Sequence, residues 1–301
     1  MSDLPSLTAL MLRHTADDGV HATPIPSLWL IRMAHPTEPL HTLHEPAVCV
    51  IVQGAKQVAL GEHIYAYDSA KYLMVSTDLP VVGTVVEASA ATPYLCLRID
   101  LDPAILVSLM EEAGIRQPPA GAPGPGLFLS PTTPEILEAV FRLARLLDQP
   151  RDIPVLAPLA LRELHYRLLT GAQGEAARHL TATGGALRQV NRAIAWLKRH
   201  YRAPIRIARL ADEVGMSPSA LHHAFKAITA MSPLQYQKQL RLQEARRLMV
   251  ARALDAASAS YEVGYESPSQ FTREYKRLFG APPARDVARL RGMDASLTGP
   301  V

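Results

Sequence analysis

The chain has 301 residues, 48% of them hydrophobic, and a formal net charge of +3. That length predicts two domains with substantial cores. No apolar run reaches the length of a membrane-spanning helix, MSDLPSLTAL lacks the pattern of a signal peptide, and two cysteines exclude a disulfide framework and fit a reduced cytoplasm. The charge is unevenly placed: residues 1–183 carry 12 Lys+Arg against 19 Asp+Glu, and residues 184–292 carry 19 against 8. A basic half on an acidic half predicts that one domain meets a polyanion.

Residues 1–20 read as a helical arm, with Leu7, Leu10, Met11 and His14 on one face. From Leu28 to Leu101 short apolar runs recur: LWLIRM, AVCVIVQ, KQVAL, HIYAY, KYLMVS, VVGTVVEA and YLCLRIDL. They are broken at Gly54, Gly61-Glu62, Asp68-Ser69 and Asp78-Leu79-Pro80. Strands at that spacing predict a sandwich or barrel. Residues 1–112 are therefore expected to form one domain, arm plus barrel. The stretch 113–132 is rich in Pro and Gly and reads as a loop.

Residues 133–180 read as a helical pair. Thr133 caps PEILEAVFRLARLLDQ, whose stripe of Ile136, Val140, Leu143 and Leu147 is widened by Leu137, Phe141 and Ala144. The second helix follows Pro158 and ends at Gly171. Faces this wide need cover, from the barrel or from a second subunit. Residues 181–186 read as a linker into a basic domain, 187–290, that opens with the helix ALRQVNRAIAWLKRHY.

Within that domain one pattern occurs twice, at about 207–228 and 255–278. A short helical run ends at a glycine (Gly215, Gly264), where the left-handed conformation costs no Cβ clash. A hydrophobic residue follows (Met216, Tyr265). Next comes a serine that caps the following helix and a proline at its first position (Ser217-Pro218, Ser267-Pro268). Two helices joined this tightly form a helix-turn-helix, whose second member can enter a DNA major groove. Between the copies, Pro233 to Ala251 reads as one rod of roughly 28 Å, close to the ~34 Å of one DNA turn. Its apolar stripe is Leu242, Ala245 and Met249. On the first recognition helix Ser219, His222, His223 and Lys226 face outward, while Ala220, Leu221 and Phe225 pack. On the second, Ser269, Gln270, Thr272, Arg273 and Arg277 face outward over Phe271 and Tyr275.

LADEVGMS, the run from Phe225 to Tyr236, RLQEARRLM and VGYESPSQFTREYKRLFGAPP resemble the AraC-type transcription regulators over roughly Gly185 to Leu290. The resemblance implies a seven-helix unit with two helix-turn-helices in successive major grooves. It implies DNA contacts by His222, His223, Gln270, Thr272 and Arg273, and action as an activator near RNA polymerase in the cytoplasm. PAVCVIVQG and YAYDSAKYLMVSTDLP resemble the cupin-like N-terminal domain of one subgroup, which implies a small-molecule sensor. In that family the helical pair joins two subunits into a homodimer. Three positions depart from the pattern. His223 stands where arginine is usual, Ala224 where a larger polar residue is common, and Ala230 replaces the glycine of the usual cap.

His35, His41, His44, Glu45 and His63 invite a metal reading, but HTLHE is one residue too long to aim two imidazoles together from a strand. Neither a metal nor another cofactor is expected. Cys49 and Cys96, each in an apolar run, read as buried inert thiols; with Tyr65 and Arg98 they are the candidate lining of a ligand site. No phosphate loop or nucleophile elbow occurs, so no enzyme is expected. The competing readings are a metal-dependent cupin enzyme fused to a DNA-binding domain, and a constitutive regulator whose barrel only dimerises.

Overall fold

A computed structural model describes residues 4–116, 124–172, 174–179 and 185–292. The N-terminal half is built on two antiparallel sheets. One has six strands: β1 (Gly19–Ala22), β2 (Leu28–Met33), β4 (Ala47–Gln53), β7 (Lys71–Val75), β9 (Tyr94–Asp100) and β10 (Leu127–Pro131), in the order β1-β2-β9-β4-β7-β10. The other has four: β3 (Leu40–His44), β5 (Ala55–Leu60), β6 (His63–Tyr67) and β8 (Leu79–Glu87), in the order β3-β8-β5-β6. The two sheets do not close on each other, so the expected barrel is an open pair of sheets.

The apolar run AVCVIVQ has a simple cause. Strand β4 lies inside the larger sheet and is buried on both faces, so polar residues have no place to alternate. Val48, Val50 and Val52 face a core built with helices; Cys49 and Ile51 face the interior between the sheets. Strand β9 divides likewise, with Leu95, Leu97 and Ile99 on the first side and Tyr94 and Cys96 on the second. The helical side is covered by α1 (Leu4–His14), α2 (Pro103–Glu112), α3 (Pro134–Arg145) and α4 (Ile153–Thr170). Leu7, Leu10 and Met11 anchor the arm as the spacing predicts. Thr133 caps α3 through the backbone N–H of Ile136 at 3.4 Å.

Several boundaries differ from the sequence reading. Helix α4 begins at Ile153, with Pro158 inside it. A proline there removes one early backbone bond, which burial of Ile153, Ala157, Ala160, Leu164 and Leu168 offsets. The expected loop 113–132 supplies β10, paired with β7 from Leu127↔Val75 to Pro131↔Lys71; residues 117–123 of that loop, and 181–184 of the expected linker, fall outside the described residues. The expected break at Leu79-Pro80 is the start of β8. Pro80 is tolerated because β8 pairs only with β3 at that point.

A short helix α5 (Gly174–His179) leads to the C-terminal unit of seven helices: α6 (Ala186–His200), α7 (Ile207–Val214), α8 (Pro218–Thr229), α9 (Pro233–Ala251), α10 (Ala256–Glu262), α11 (Pro268–Phe279) and α12 (Pro283–Gly292). The interior between the sheets runs on into the core of this unit through Leu197, Leu210, Phe225 and Tyr236. Asp78 ties the halves together. Its carboxylate accepts from Lys198 Nζ at 2.6 Å and its carbonyl from the Tyr236 hydroxyl at 2.8 Å. The Gly126 N–H donates to the carbonyl of Ile228 in the last turn of α8 at 2.8 Å, satisfying one of the groups that every helix C-terminus leaves open.

Among the described residues two alanines adopt the left-handed conformation, Ala230 (φ 58°) and Ala253 (φ 55°). Ala230 ends α8 where Gly280 (φ 77°) ends α11. Left-handed alanine costs about 1 kcal/mol relative to glycine. Ala253 is exposed, so Ala253→Gly should raise stability by roughly that amount. Ala230→Gly should gain less, because its methyl group packs against Gly61. Denaturant midpoints of both variants check this, and an unchanged midpoint for Ala253→Gly would count against the strain.

Candidate nucleic-acid interface

Each helix-turn-helix is assembled by the local chemistry the sequence announced. In the first, α7 ends at Gly215 (φ 70°), and Ser217 caps α8 by accepting from Ala220 N at 3.2 Å. In the second, Asp255 caps α10 through Ser258 N at 2.8 Å, Gly264 (φ 88°) turns the chain, and Ser267 caps α11 through Gln270 N at 3.3 Å. Helix α8 buries Leu221, Ala224, Phe225 and Ile228; α11 buries Phe271, Tyr275 and Phe279. Burial at 224 explains the alanine found there, since a larger polar side chain would need room in a packed core.

The opposite faces are open. Ser219, His222, His223 and Lys226 on α8, and Ser269, Gln270, Thr272, Arg273 and Arg277 on α11, are all exposed. Ala220, expected to pack, is exposed as well; it lies in the first turn of α8, off the row that meets the core. The rod α9 spans the expected 19 residues and joins the two recognition helices. It starts at a reciprocal cap, where Ser232 and Gln235 bond each other's backbone N–H at 3.2 and 2.8 Å. Leu242, Ala245 and Met249 sink into the second core. Gln237 and Arg241, also on α9, bind the backbone carbonyls of Tyr201, Arg202 and Ala203. Both recognition helices therefore hang on one scaffold.

Behind α11 lies a buried charge cluster that the sequence did not announce. Asp286 is fully buried and accepts from Arg246 Nε and Nη2 at 2.8 and 2.9 Å, from the Tyr275 hydroxyl at 2.7 Å, and from Arg289 at 2.9 Å. Burial pushes the Tyr275 hydroxyl's pKa up, and its bond to Asp286 adds to this. Arg289 also pairs with Glu38, and His41 meets the Phe279 ring edge-on at 5.1 Å, so the N-terminal half touches the end of α11. Burial, then the nearby Arg246, holds the His41 pKa down at about 4.

Of the four candidate ligand-lining residues, Cys49, Cys96 and Arg98 lie together on neighbouring strands, and Tyr65 lines a groove. Cys49 and Cys96 are buried neighbours between the sheets. The Cys49 sulfur lies 3.6 Å from His44 Nε2. The bond from Cys96 lowers the Cys49 pKa and raises its own. Arg98 is buried but turned to Asp100 at 3.0 Å. Tyr65 sits on the β5–β6 hairpin, partly buried against the core that holds the two thiols. That hairpin lines a groove of about 1070 Å³ with Leu60, Glu62, His63 and Tyr65 on one wall. His223, Lys226, Lys238, Glu274 and Arg277 stand on the other. The groove was invisible in the sequence because its walls come from segments more than 150 residues apart. Of the other histidines considered, His44 donates from Nδ1 to the Glu45 carbonyl at 2.8 Å, while His35 and His63 are exposed. Among the described residues no three His, Cys, Asp or Glu side chains converge, and no helix is long and apolar enough to cross a membrane.

Comparison with known proteins agrees with this architecture. The family model for the AraC-type transcriptional regulator N-terminus matches residues 24–176, and a helix-turn-helix domain model matches residues 210–289. The HTH-type transcriptional regulator CdhR of Pseudomonas aeruginosa is 29% identical over 136 residues, 45% of this chain and 38% of that protein. ExsA from the same organism is 27% identical over 167 residues (54% and 58%), and the activator RhaS of Escherichia coli is 26% identical over 156 residues (52% and 55%). The matched stretch thus spans about half the length of these relatives, or less. The fold is shared with ToxT from Vibrio cholerae at a TM-score of 0.60 and 12% identity, over 94% of this chain and all of that one. A fatty-acid-bound ToxT aligns at a TM-score of 0.57 and 11% identity, over 89% of this chain and 95% of that one. With its N-terminal model covering half the chain and the doubled helix-turn-helix behind it, the chain belongs to the AraC-type transcriptional regulators.

Proposed function

We propose that the chain activates transcription by placing α8 and α11 in two successive major grooves on one face of double-stranded DNA. The observation that carries this is the pair of exposed faces, Ser219, His222, His223 and Lys226 on one helix and Ser269, Gln270, Thr272, Arg273 and Arg277 on the other, joined by a rigid rod. A first unit that runs on through the helical pair 133–180 and a second at 187–290 fit that division of labour. The relatives are transcriptional regulators rather than enzymes, and we assign no catalytic role, a cytoplasmic location, and RNA polymerase as the partner at the promoter. Footprinting tests the geometry: each subunit should protect two adjacent major grooves, and protection of one alone would remove α11 or α8 from the interface.

His223 limits affinity in this reading. Arginine at that position could bond guanine through two parallel donors, worth about 1–3 kcal/mol against a wrong base; histidine lacks the fork. His223→Arg should therefore tighten DNA binding and steepen its salt dependence by about one counterion. An unchanged titration curve would mean that residue 223 does not face DNA.

The effector is assigned to the groove between the β5–β6 hairpin and the recognition helices. Its size suits a small molecule, and solved forms of ToxT hold an unsaturated fatty acid or a naphthalenyl-butenoic acid. A small molecule bound there should raise the melting temperature, and Tyr65→Ala should remove that rise.

A second copy of the chain is assigned to α4. Val155 is 69% exposed and Leu159 60%, with Leu156 and Tyr166 beside them on one side of the helix. Helices leave such a stripe open when a partner covers it. Leu159→Glu should convert a dimer to monomers in sedimentation while the fold survives; a monomeric wild type would end this assignment.

A further inference from the structure

Helix α11 carries one acidic residue, Glu274, on the side that bears its DNA-facing row. A carboxylate there is unfavourable beside phosphates, because like charges repel. It follows Gln270 by four positions and precedes Arg277 by three, so all three share one strip of surface. Yet the Glu274 side chain is only 15% exposed. Its Oε1 accepts from Lys238 Nζ at 3.0 Å and from Gln270 Nε2 at 3.4 Å, and its Oε2 accepts from the Tyr265 hydroxyl at 2.9 Å. Burial alone would raise the carboxyl's pKa; Lys238, Tyr265 and Gln270 outweigh it and keep the group ionised.

The partners decide which side chain positions which. Lys238 belongs to the rod α9. Tyr265 sits in the turn, its ring edge-on to Phe271 at 5.3 Å with the Arg241 guanidinium 5.8 Å from its centre. Glu274 is thus fixed from two directions by the scaffold, whereas Gln270 is exposed and its amide turns to Glu274. We propose that Glu274 is a positioning residue for base readout: it holds the Gln270 amide with Nε2 turned back toward the protein.

The proposal rests on the reading that α11 enters a major groove. An amide nitrogen has two N–H donors. With one given to Glu274, the other and Oε1 form an outward donor–acceptor pair, which fits N7 and N6–H₂ of adenine. Released from Glu274, the amide can turn so that its NH₂ group meets the two acceptors of guanine, N7 and O6. The clamp therefore selects adenine over guanine at one base pair, and the cost is a carboxylate near the DNA backbone.

The test is selection from randomised duplexes with the full chain, followed by titration of the selected site with adenine or guanine at the position that Gln270→Ala makes indifferent. Wild type should prefer adenine by roughly tenfold or more. Glu274→Ala should bring the preference to within about threefold while binding to random duplex stays equal or rises, since a negative charge has gone. Glu274→Gln keeps an acceptor oxygen and should retain more of the preference. Circular dichroism melts confirm that each variant is folded. An undiminished adenine preference in Glu274→Ala overturns the proposal. So does a loss of affinity equal on all sequences, which is the mark of a merely structural role. If Gln270→Ala leaves every base preference intact, the failure lies deeper, in the placement of α11 in the groove.

Discussion

Asp286→Ala should cost about 3–5 kcal/mol and cripple the second helix-turn-helix, because it strands a charge that has no other buried partner of equal quality. Arg246 is 12% exposed and spends two parallel N–H bonds on Asp286. Its guanidinium lies 4.5 Å from the centre of the Phe279 ring, inside the core of the second unit. Without the carboxylate the Tyr275 hydroxyl also loses its acceptor, in a site too buried for bulk water to replace it. The two helices that hold α11 in place, α9 and α12, meet it at this one side chain. A double substitution separates charge from packing. Asp286→Leu with Arg246→Met removes both charges and leaves apolar groups of similar size, so it should be less destabilising than the two single changes added together. Denaturant titration of the four proteins gives the coupling. Strict additivity would mean that the pair contributes nothing as a pair. DNA footprints of Asp286→Ala should lose the groove read by α11 before the one read by α8.

What could be read from the sequence divides along one physical line. Features set by neighbours in the chain were legible; features set by distant partners were not. Gly215, Gly264, Ser217 and Ser267 announce their turns because a left-handed residue and an N-cap act within four residues of themselves. The rod from Pro233 to Ala251 is bounded by a proline and by a left-handed break at Ala253, and its expected ends were the observed ones. Strands with apolar runs between turn residues were visible too. Strand β3 was not, because HTLH is only half-buried and has no two-residue alternation. Strand β10 was hidden behind a Pro- and Gly-rich stretch and exists because β7 offers it an edge. Whether the sheets close could not be read at all, since closure depends on pairing between strands far apart in the chain.

The site shows the same division. The exposed rows of α8 and α11 follow from helical period alone. Glu274 does not: in sequence it is a solvated acid, and only the fold brings Lys238, 36 residues away, to its carboxylate. The Cys49–Cys96 neighbourhood and the placement of Tyr65 on a groove wall also wait on strand order. Arg98 lies in a strand buried on both sides, and nothing local says that it turns toward Asp100 and Glu45.

The two motif glycines look interchangeable in sequence and should respond very differently to substitution. Both adopt left-handed backbone, Gly215 at φ 70° and Gly264 at φ 88°. A Cβ on Gly215 would meet nothing within 4 Å, whereas one on Gly264 would stand 2.0 Å from the Arg202 carbonyl oxygen. Gly215→Ala should therefore cost only the backbone term, about 1 kcal/mol. Gly264→Ala adds an overlap that something must relieve. The Arg202 segment is poorly able to retreat. Arg241 and Gln237 bind the carbonyls of Tyr201, Arg202 and Ala203, and Arg202 itself pairs with Glu262 at 2.8 Å. Overpacking of a held site costs about 1–3 kcal/mol beyond the backbone strain, so a total of roughly 3 kcal/mol is expected. Because the turn at Gly264 sets the angle of α11, the loss should appear in DNA binding as well as in stability, confined to the groove that α11 reads. Chemical denaturation and footprinting of both variants make the comparison. Equal costs at the two positions would mean that the end of α6 moves aside freely, and that the contact between Gly264 and Arg202 does not fix the second recognition helix.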